Sequence, residues 1–334
     1  MIAKAEVGGE SDDWVLFSSR WHLEIILHSF RLYWTPNKRI IVPQGRYLMI
    51  RRSFAVLFLA TLATGLMTGQ DAAMYLDDYI VKVKPEKRAE FDAINKKIAA
   101  LNRRNKGDNW LATENMYGEA NVVTFVSLRS GYGDAQKGFD LFLGALSKPG
   151  GKPAAEKMFQ DFNNTLISAR SEMRRRRPDL GTNVPSNAAD TAGILGKARF
   201  LYMVTVRVRP GRVLEYEDQI KMVRDARAKG GQKQTWFVSQ SAVGVPGTSF
   251  YITRPLGALG DIDGAPLLHQ TLGENGFKQY QKGLSENTFS TEITISRYLP
   301  ELSNPPAEIT AVDPAFWTPK PTPAAKKAAA ESTN

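Results

Sequence analysis

Histidine, the usual residue of acid–base catalysis and metal binding, is scarce in this chain. His22 and His28 lie near the start, which leaves His269 alone in the main body. A histidine ligand normally has an acceptor for its other ring nitrogen, and the nearest candidates in the sequence are Asp261 and Asp263. A single histidine without further ligands around it favours a loop or helix-cap position over a ligand role.

Other catalytic sets are missing from the sequence. The chain has no cysteine, which excludes thiolate catalysis, zinc ribbons and iron–sulfur ligation. Gly-x-Ser-x-Gly, Walker and dinucleotide-binding signatures are also missing. No close pair of carboxylates stands on a predicted strand end that faces the core. The sequence therefore favours a protein without enzymatic activity and predicts neither a cofactor nor a metal.

Two tryptophans, Trp110 and Trp236, each begin the second predicted strand of one half of the chain. A pair of aromatic residues at equivalent positions can cover a cavity and stack on an apolar ligand. The alternative is that each tryptophan fills a core, because aromatic residues dominate cores in general. Tyr251, on the third strand of the second half, is a further candidate ligand-binding residue.

The elements that position these residues follow from the hydrophobic pattern. Apolar and charged residues alternate along Tyr79–Lys84 and Val204–Arg209, which predicts strands with one buried face. Pro85 and Pro210 end these strands and open helices, where a missing N–H has no cost. A hairpin, a variable loop, a second helix and a closing strand follow in each half. The predicted order is β-α-β-β-α-β, the ferredoxin-like unit.

The second half of the chain repeats the first. Val81–Asp92 matches Val206–Glu217 at a constant shift of 125 positions, and with one inserted residue Trp110 matches Trp236 and Phe125 matches Tyr251. Both halves end in a Pro-acidic-Leu tripeptide, Pro178-Asp179-Leu180 and Pro300-Glu301-Leu302. A long period that occurs only twice indicates a duplicated domain.

With these landmarks the region from about 75 to 303 resembles the dimeric α+β barrel superfamily. That group includes antibiotic-biosynthesis-type monooxygenases, stress-responsive barrel proteins, chlorite-dismutase-like haem proteins and many uncharacterised members, of which exported ones are the most similar. The resemblance implies an α+β fold in which the two repeats form one barrel within the chain. It rests on topology, and a fold alone does not establish a function.

The resemblance also suggests a haem alternative. In the haem-binding branches a histidine of the C-terminal half ligates the iron, which here points to His269. Gly260–Gly264 matches the short Gly-x-x-Asp-Gly signature of dye-decolorising peroxidases, but His269 follows too soon to lie on the opposite side of a haem, and we interpret the motif as a turn. Asn115 beside Trp110 is similar to a pair in haem-degrading relatives, without the matching histidine. Asn115 is therefore a candidate ligand-binding residue.

The ends of the chain differ in character from the repeats. Residues 49–72 have the arginines, apolar stretch and small residues of a signal peptide, which predicts a periplasmic or secreted protein. An uncleaved membrane anchor through residues 53–68 is the alternative. Residues 1–48 show no sustained hydrophobic period, and we interpret them as a mis-assigned extension upstream of the true translation start at Met49. The remaining predicted segments are repeat 1 (73–181), a linker (182–197), repeat 2 (198–303) and a mobile Pro/Ala/Lys-rich tail (304–334).

The net charge of +10 raises the question of nucleic-acid binding. The charge is spread along the chain, with one cluster at Arg174–Arg177 on the closing strand of repeat 1. We interpret that cluster as an exposed strand face or sheet edge. Together with the predicted export, this argues against a nucleic-acid partner.

Three functions remain open from the sequence. The favoured one is a non-enzymatic exported barrel that binds a small apolar or aromatic ligand or acts as a scaffold. The second is a barrel enzyme, either a cofactor-free monooxygenase or a haem protein that uses His269. The third is a component of a cell-envelope assembly. Homo-oligomerisation is compatible with all three, and no stable membrane span is expected after signal cleavage.

We expect the mature chain to begin between Gly69 and Ala73, because small residues follow the apolar stretch there. N-terminal sequencing of the native protein measures this directly. A mature protein that retains residues 1–48 would contradict both the proposed start and the export.

Overall fold

The computed structural model describes residues 74–318. The predicted upstream segment, the signal peptide and residues 319–334 of the tail lie outside the described residues. None of the described helices is both long and apolar enough to cross a membrane.

The strands are β1 (Tyr75–Val83), β2 (Leu111–Tyr117), β3 (Val122–Arg129), β4 (Leu166–Arg176), β5 (Phe200–Val208), β6 (Phe237–Val243), β7 (Thr248–Leu256) and β8 (Thr288–Tyr298). The helices are α1 (Arg88–Asn105), α2 (Tyr132–Ser147), α3 (Gly151–Asn163), α4 (Ala188–Lys197), α5 (Val213–Lys229), α6 (Leu268–Asn287), α7 (Ala307–Val312) and α8 (Pro314–Trp317). Short 3-10 turns occur at Pro85–Lys87, Pro178–Leu180, Leu259–Asp261 and Pro300–Leu302.

The strands form one closed antiparallel barrel in the order β1-β3-β2-β8-β5-β7-β6-β4. Each repeat contributes four neighbouring strands, and the two sheets join edge to edge at β2–β8 and at β4–β6. An ion pair crosses the β2–β8 seam, where Arg297 Nη2 lies 2.7 Å from Glu114 Oε2. A second pair links the repeats next to the β4–β6 seam, where Arg177 Nη2 donates to Glu217 Oε2 of α5 at 3.0 Å. The predicted α+β fold, with an intramolecular barrel made of two repeats, is confirmed.

The helices pack on the outside of the barrel because each strand places its apolar residues on that side. In repeat 1 the buried core includes Val81 and Val83 of β1 and Phe91 and Ile98 of α1. Repeat 2 forms a separate core around Val206, Tyr216 and Phe250, among others. Residues of opposite parity on the strands point into the barrel instead.

The pairing of β1 with β3 and of β5 with β7 corrects the predicted match between Phe125 and Tyr251. Tyr79 lies opposite Phe125, and the equivalent Val204 lies opposite Ile252 rather than Tyr251. The hairpin of repeat 2 therefore contains a second extra residue. A shift of one position moves a side chain to the other face of a strand, so Tyr251 points into the barrel although Phe125 faces the helices.

Two local predictions were also wrong. The segment predicted as a variable loop in repeat 1 contains a helix of 16 residues, α2, whose glycines (Gly133, Gly138 and Gly144) weaken its helical signal. The sequence pattern predicted closing strands at Ser171–Met173 and Ile293–Ser296, and both β4 and β8 are longer. It also placed Leu166 on the preceding helix, whereas Leu166 begins β4.

Residues 304–318 differ from the predicted mobile tail. Asn304 exchanges two backbone hydrogen bonds with Trp110, at 2.9 and 3.0 Å. The indole of Trp317 is fully buried, and its Nε1 donates to the carbonyl of Gly196 at 2.9 Å. Together with α4 of the predicted linker, α7 and α8 pack over one end of the barrel around Leu111 and Tyr298. The prolines of this segment suggested mobility, but residues 304–318 are ordered on the barrel because Trp317 is buried there.

We expect residues 73–181 produced alone to dimerise or aggregate. Isolation exposes the seam edges of β2 and β4 and the inner face of their sheet, and exposed edges pair with other chains. Analytical ultracentrifugation and circular dichroism measure the outcome, with residues 73–318 as the control that should remain folded. A soluble, folded monomer of the half would contradict the dependence of each repeat on the other.

Candidate functional site

Each repeat contains a cleft between its sheet and its helices. Cleft 1, in repeat 1, has a volume of about 350 Å³ and is lined by Trp110 and several phenylalanines. Cleft 2, in repeat 2, has a volume of about 440 Å³ and is lined by Trp236, Tyr202 and Tyr280, among others. Both volumes lie in the range of small-molecule sites. The two predicted tryptophans therefore occupy equivalent positions in two separate clefts.

Cleft 1 is an aromatic pocket. Trp110 is 6% exposed, its Nε1 donates to the carbonyl of Leu302 at 2.7 Å, and its ring meets that of Phe142 edge-on at 5.7 Å between centroids. Since the indole N–H is already used, Trp110 presents apolar surface to the cleft.

The charges of cleft 1 neutralise one another. Arg129 donates to both oxygens of Asp108 at 2.7 and 2.6 Å and to Asp77 Oδ2 at 3.3 Å. Burial disfavours the charged form of Arg129, but the two carboxylates outweigh burial and raise its pKa. Among its described lining residues, cleft 1 therefore offers no free cation to an incoming ligand.

Cleft 2 differs from cleft 1 because two arginine side chains lie close to the ring of Trp236. The guanidinium of Arg227 lies 3.9 Å from the ring centroid of Trp236, and that of Arg254 lies 5.8 Å from it. Tyr202 meets the same indole edge-on at 5.9 Å between centroids. Arg254 is opposite Tyr202 in the β5–β7 ladder, whereas serine, Ser127, holds the corresponding place in repeat 1.

Arg227 has no carboxylate within ion-pair distance and no hydrogen-bond acceptor among residues 74–318. Burial and, to a smaller extent, the neighbouring Arg254 lower its pKa to about 10, although Tyr280 and Tyr202 act in the opposite direction. Arg254 is 7% exposed and donates to the carbonyl of Asp261 at 2.7 Å. Burial also lowers the pKa of Arg254, and the nearby Asp261 offsets this only in part. Among the described residues, Arg227 is thus a cation of cleft 2 that no carboxylate balances.

The other predicted ligand-binding residues lie elsewhere. Asn115 accepts from Ser296 Oγ at 2.9 Å and donates to the carbonyl of Glu119 at 3.2 Å. Tyr251 lies inside the barrel, where its hydroxyl donates to Glu172 Oε2 at 3.3 Å. The structure therefore does not bring Trp110, Trp236, Asn115 and Tyr251 together into one site.

The barrel interior also corrects the interpretation of the arginine cluster. Arg174 is 6% exposed and its Nε donates to Asp78 Oδ2, and β4 is not an edge because it pairs with β1 and β6. Asp78 and Glu172 are direct neighbours across β1 and β4 and are both buried. This close carboxylate pair was missed, although Asp78 sits at a position of inward parity between Leu76 and Ile80.

His269 occupies the first turn of α6, where it is exposed. Its ring lies 6.0 Å from that of Phe277, and it is not one of the residues that line cleft 2. Asp261 accepts from the backbone N–H groups of Gly257 and Ala258 at 2.9 and 3.0 Å, as in a turn. This placement of His269 does not suit an axial ligand for a haem in cleft 2. Within residues 74–318 no cluster of three or more His, Asp or Glu has a metal-binding arrangement.

Comparison with known proteins gives distant likenesses. No protein-family model and no curated protein matches the chain. Among solved structures, an anthrone oxidase-like protein is 8% identical with a TM-score of 0.44, over 68% of this chain and 92% of its own. A mutant chlorite dismutase from Candidatus Nitrospira defluvii is 9% identical with a TM-score of 0.40, over 72% and 95%. A heme-binding protein from Thermus thermophilus is 11% identical with a TM-score of 0.38, over 70% and 93%. These likenesses are too distant to indicate an activity, and the chain's own strand order defines its fold.

Replacing Arg129 by methionine should lower the free energy of unfolding by about 3 kcal/mol, because it leaves two carboxylates in cleft 1 without their cation. Urea denaturation followed by circular dichroism measures this loss. Lys278→Met, which removes an exposed pair with Glu274, is the control and should change little. An equal effect of the two substitutions would show that the Arg129 network does not stabilise the fold.

Proposed function

We propose that this protein binds a small aromatic compound carrying a negatively charged group in cleft 2, without enzymatic activity. The observation that carries the proposal is the stacking of Arg227 on Trp236 in a partly buried cleft, with no carboxylate partner among the described residues. A desolvated cation without a counter-charge is costly. An anionic ligand group would supply the missing charge.

The walls of cleft 2 support the aromatic part of the ligand. Trp236, Tyr202 and Tyr280 provide ring surface, and aromatic rings pack on one another in stacked or edge-on arrangements. Burial raises the pKa of Tyr202 and of Tyr280, so both phenols stay neutral at physiological pH and offer hydrogen bonds. The ligand would therefore place its ring on Trp236 and its charged group near Arg227 and Arg254.

Binding without chemistry fits the residues of this cleft. Its described lining contains no Asp, Glu or His, the usual general bases. We further propose that binding occurs outside the cytoplasm, on the strength of the signal-like sequence at 49–72. Cleft 1, whose arginine is already paired, is proposed to bind only uncharged apolar ligands or to remain part of the core.

Calorimetric titration with 2-naphthoate and 2-naphthamide tests the proposal, because these probes share a ring system and differ in charge. One charge-assisted hydrogen bond contributes about 1.5–3 kcal/mol, so naphthoate should bind roughly 10- to 100-fold more tightly. Arg227→Met should remove most of this preference and leave the affinity for naphthamide nearly unchanged.

Lys221→Met provides the matched control, because Lys221 is an exposed cation on the same helix and its loss should leave the preference intact. Equal affinities for the two probes would contradict the proposal, as would a preference that survives in Arg227→Met. A Soret band in the purified protein that disappears in His269→Ala would instead support the haem alternative.

A further inference from the structure

A pair of carboxylates lies at the centre of the barrel, away from both clefts. Asp78 of β1 and Glu172 of β4 are directly opposite in the ladder, and their residues are 0% and 3% exposed. Arg174 is the cation that contacts both: its Nε donates to Asp78 Oδ2 and lies 3.7 Å from Glu172 Oε1. Two carboxylates therefore share one buried guanidinium.

The remaining groups around the pair do not restore the balance. Arg170 lies 3.9 Å from Glu172, but its side chain is 60% exposed, so water screens it. Asp77, the preceding residue on β1, adds further negative charge near Asp78. Tyr251 is neutral and donates to Glu172, and Asp78's neighbour on β3 is the apolar Val126.

One oxygen of this group has no partner. Asp78 Oδ1 is buried and makes no hydrogen bond among the described residues. An ionised carboxylate in an apolar interior needs hydrogen-bond donors at both of its oxygens. A proton on Oδ1 removes the charge of Asp78 and turns this oxygen into a donor, so that a second donor is no longer needed. Desolvation raises the pKa of Asp78 in spite of Arg174, and Glu172 adds to the rise.

The fold does not require this pair. The equivalent positions of repeat 2, which also face each other across a ladder, are Met203 and Thr294. The cluster nevertheless connects the repeats, because Arg174 donates to Met203 Sδ at 3.7 Å and its guanidinium lies 4.4 Å from the centroid of the Tyr251 ring. A change of charge at Asp78 or Glu172 would therefore act on contacts between the two halves.

We propose that Asp78 and Glu172 form a proton-binding site that holds one proton at neutral pH, carried by Asp78. The bound proton leaves Glu172 and Arg174 as a balanced pair. Two negative charges that face each other across paired strands in a buried site disfavour one another, which is the usual reason for a shared proton. Loss of the proton at alkaline pH leaves one uncompensated negative charge inside the barrel and weakens the contact between repeats.

The direction of the pH dependence follows from linkage. The pKa of Asp78 is higher in the folded than in the unfolded chain, so the folded state binds the proton more tightly. The resulting contribution to the free energy of unfolding is complete at pH values below the pKa of Asp78 in the unfolded chain. It is lost as the pH rises through the pKa of Asp78 in the folded chain. The barrel should therefore lose stability toward alkaline pH at this site.

Infrared spectroscopy of the protein at neutral pH tests the proposal, because a protonated buried carboxyl has a carbonyl band separate from that of carboxylates. The band should be present in the native protein and in Glu274→Gln, which removes an exposed carboxylate of α6 far from the pair in the sequence. It should be absent in Asp78→Asn, and in Glu172→Gln it should disappear at a lower pH than in the native protein, because Glu172 adds to the rise in the pKa of Asp78. No band in the native protein, a band that survives Asp78→Asn, or a band that disappears at the same pH in Glu172→Gln and the native protein would overturn the proposal.

Denaturation provides an independent measurement. The urea midpoint of the native protein should fall as the pH rises from the acidic into the alkaline range, and the fall should be smaller in Asp78→Asn, which keeps the neutral form permanently. Glu274→Gln, at an exposed position, should follow the native curve. Parallel curves for the native protein and Asp78→Asn would overturn the proposal.

Discussion

Edge pairing between the two repeats is the constraint on which the rest of the structure depends. A four-stranded sheet with helices on one face leaves its other face and both edges uncovered. Pairing β2 with β8 and β4 with β6 removes all four edges at once and encloses the uncovered faces. The part of the barrel interior around Asp78, Glu172 and Arg174 is thereby buried, and a charge placed there needs a partner within the protein.

Closure has different consequences for the two sides of each strand. The outward side packs on helices and forms one core in each repeat, and each cleft remains beside its core. The inward side is shared, so that Arg174 of repeat 1 contacts Met203 and Tyr251 of repeat 2. At one end the linker helix and the C-terminal segment add apolar cover, anchored by Trp317. The clefts therefore belong to single repeats, whereas the interior belongs to both.

The sequence was sufficient for the repeat, the order of the strands along the chain and the barrel, because strand alternation and helical spacing appear twice and agree. It was insufficient where a shift of one residue in the strand register decides which face of the sheet a side chain occupies. An extra residue in the second hairpin moves Tyr251 from the helix side to the interior, and no sequence signal marks that insertion. Arg174 was assigned to an exposed edge because its neutralising partner, Asp78, is 96 positions away. Arg227 is a half-buried helix residue whose lack of a carboxylate appears only in three dimensions.

Duplication provides a comparison within one molecule. Features present in both repeats, such as the tryptophan at the start of the second strand, are accounted for by the common fold. Features present in one repeat need another explanation: Arg254 stands where repeat 1 has Ser127, and Asp78 stands where repeat 2 has Met203. Both differences place buried charge at positions where the other repeat has a neutral residue, and buried charge opposes folding unless it is balanced. In cleft 2 the proposed ligand would supply the balance, and in the barrel interior the proposed proton would be enough. The charges that occur in only one repeat, rather than the tryptophans that occur in both, therefore support the proposals on what this chain binds.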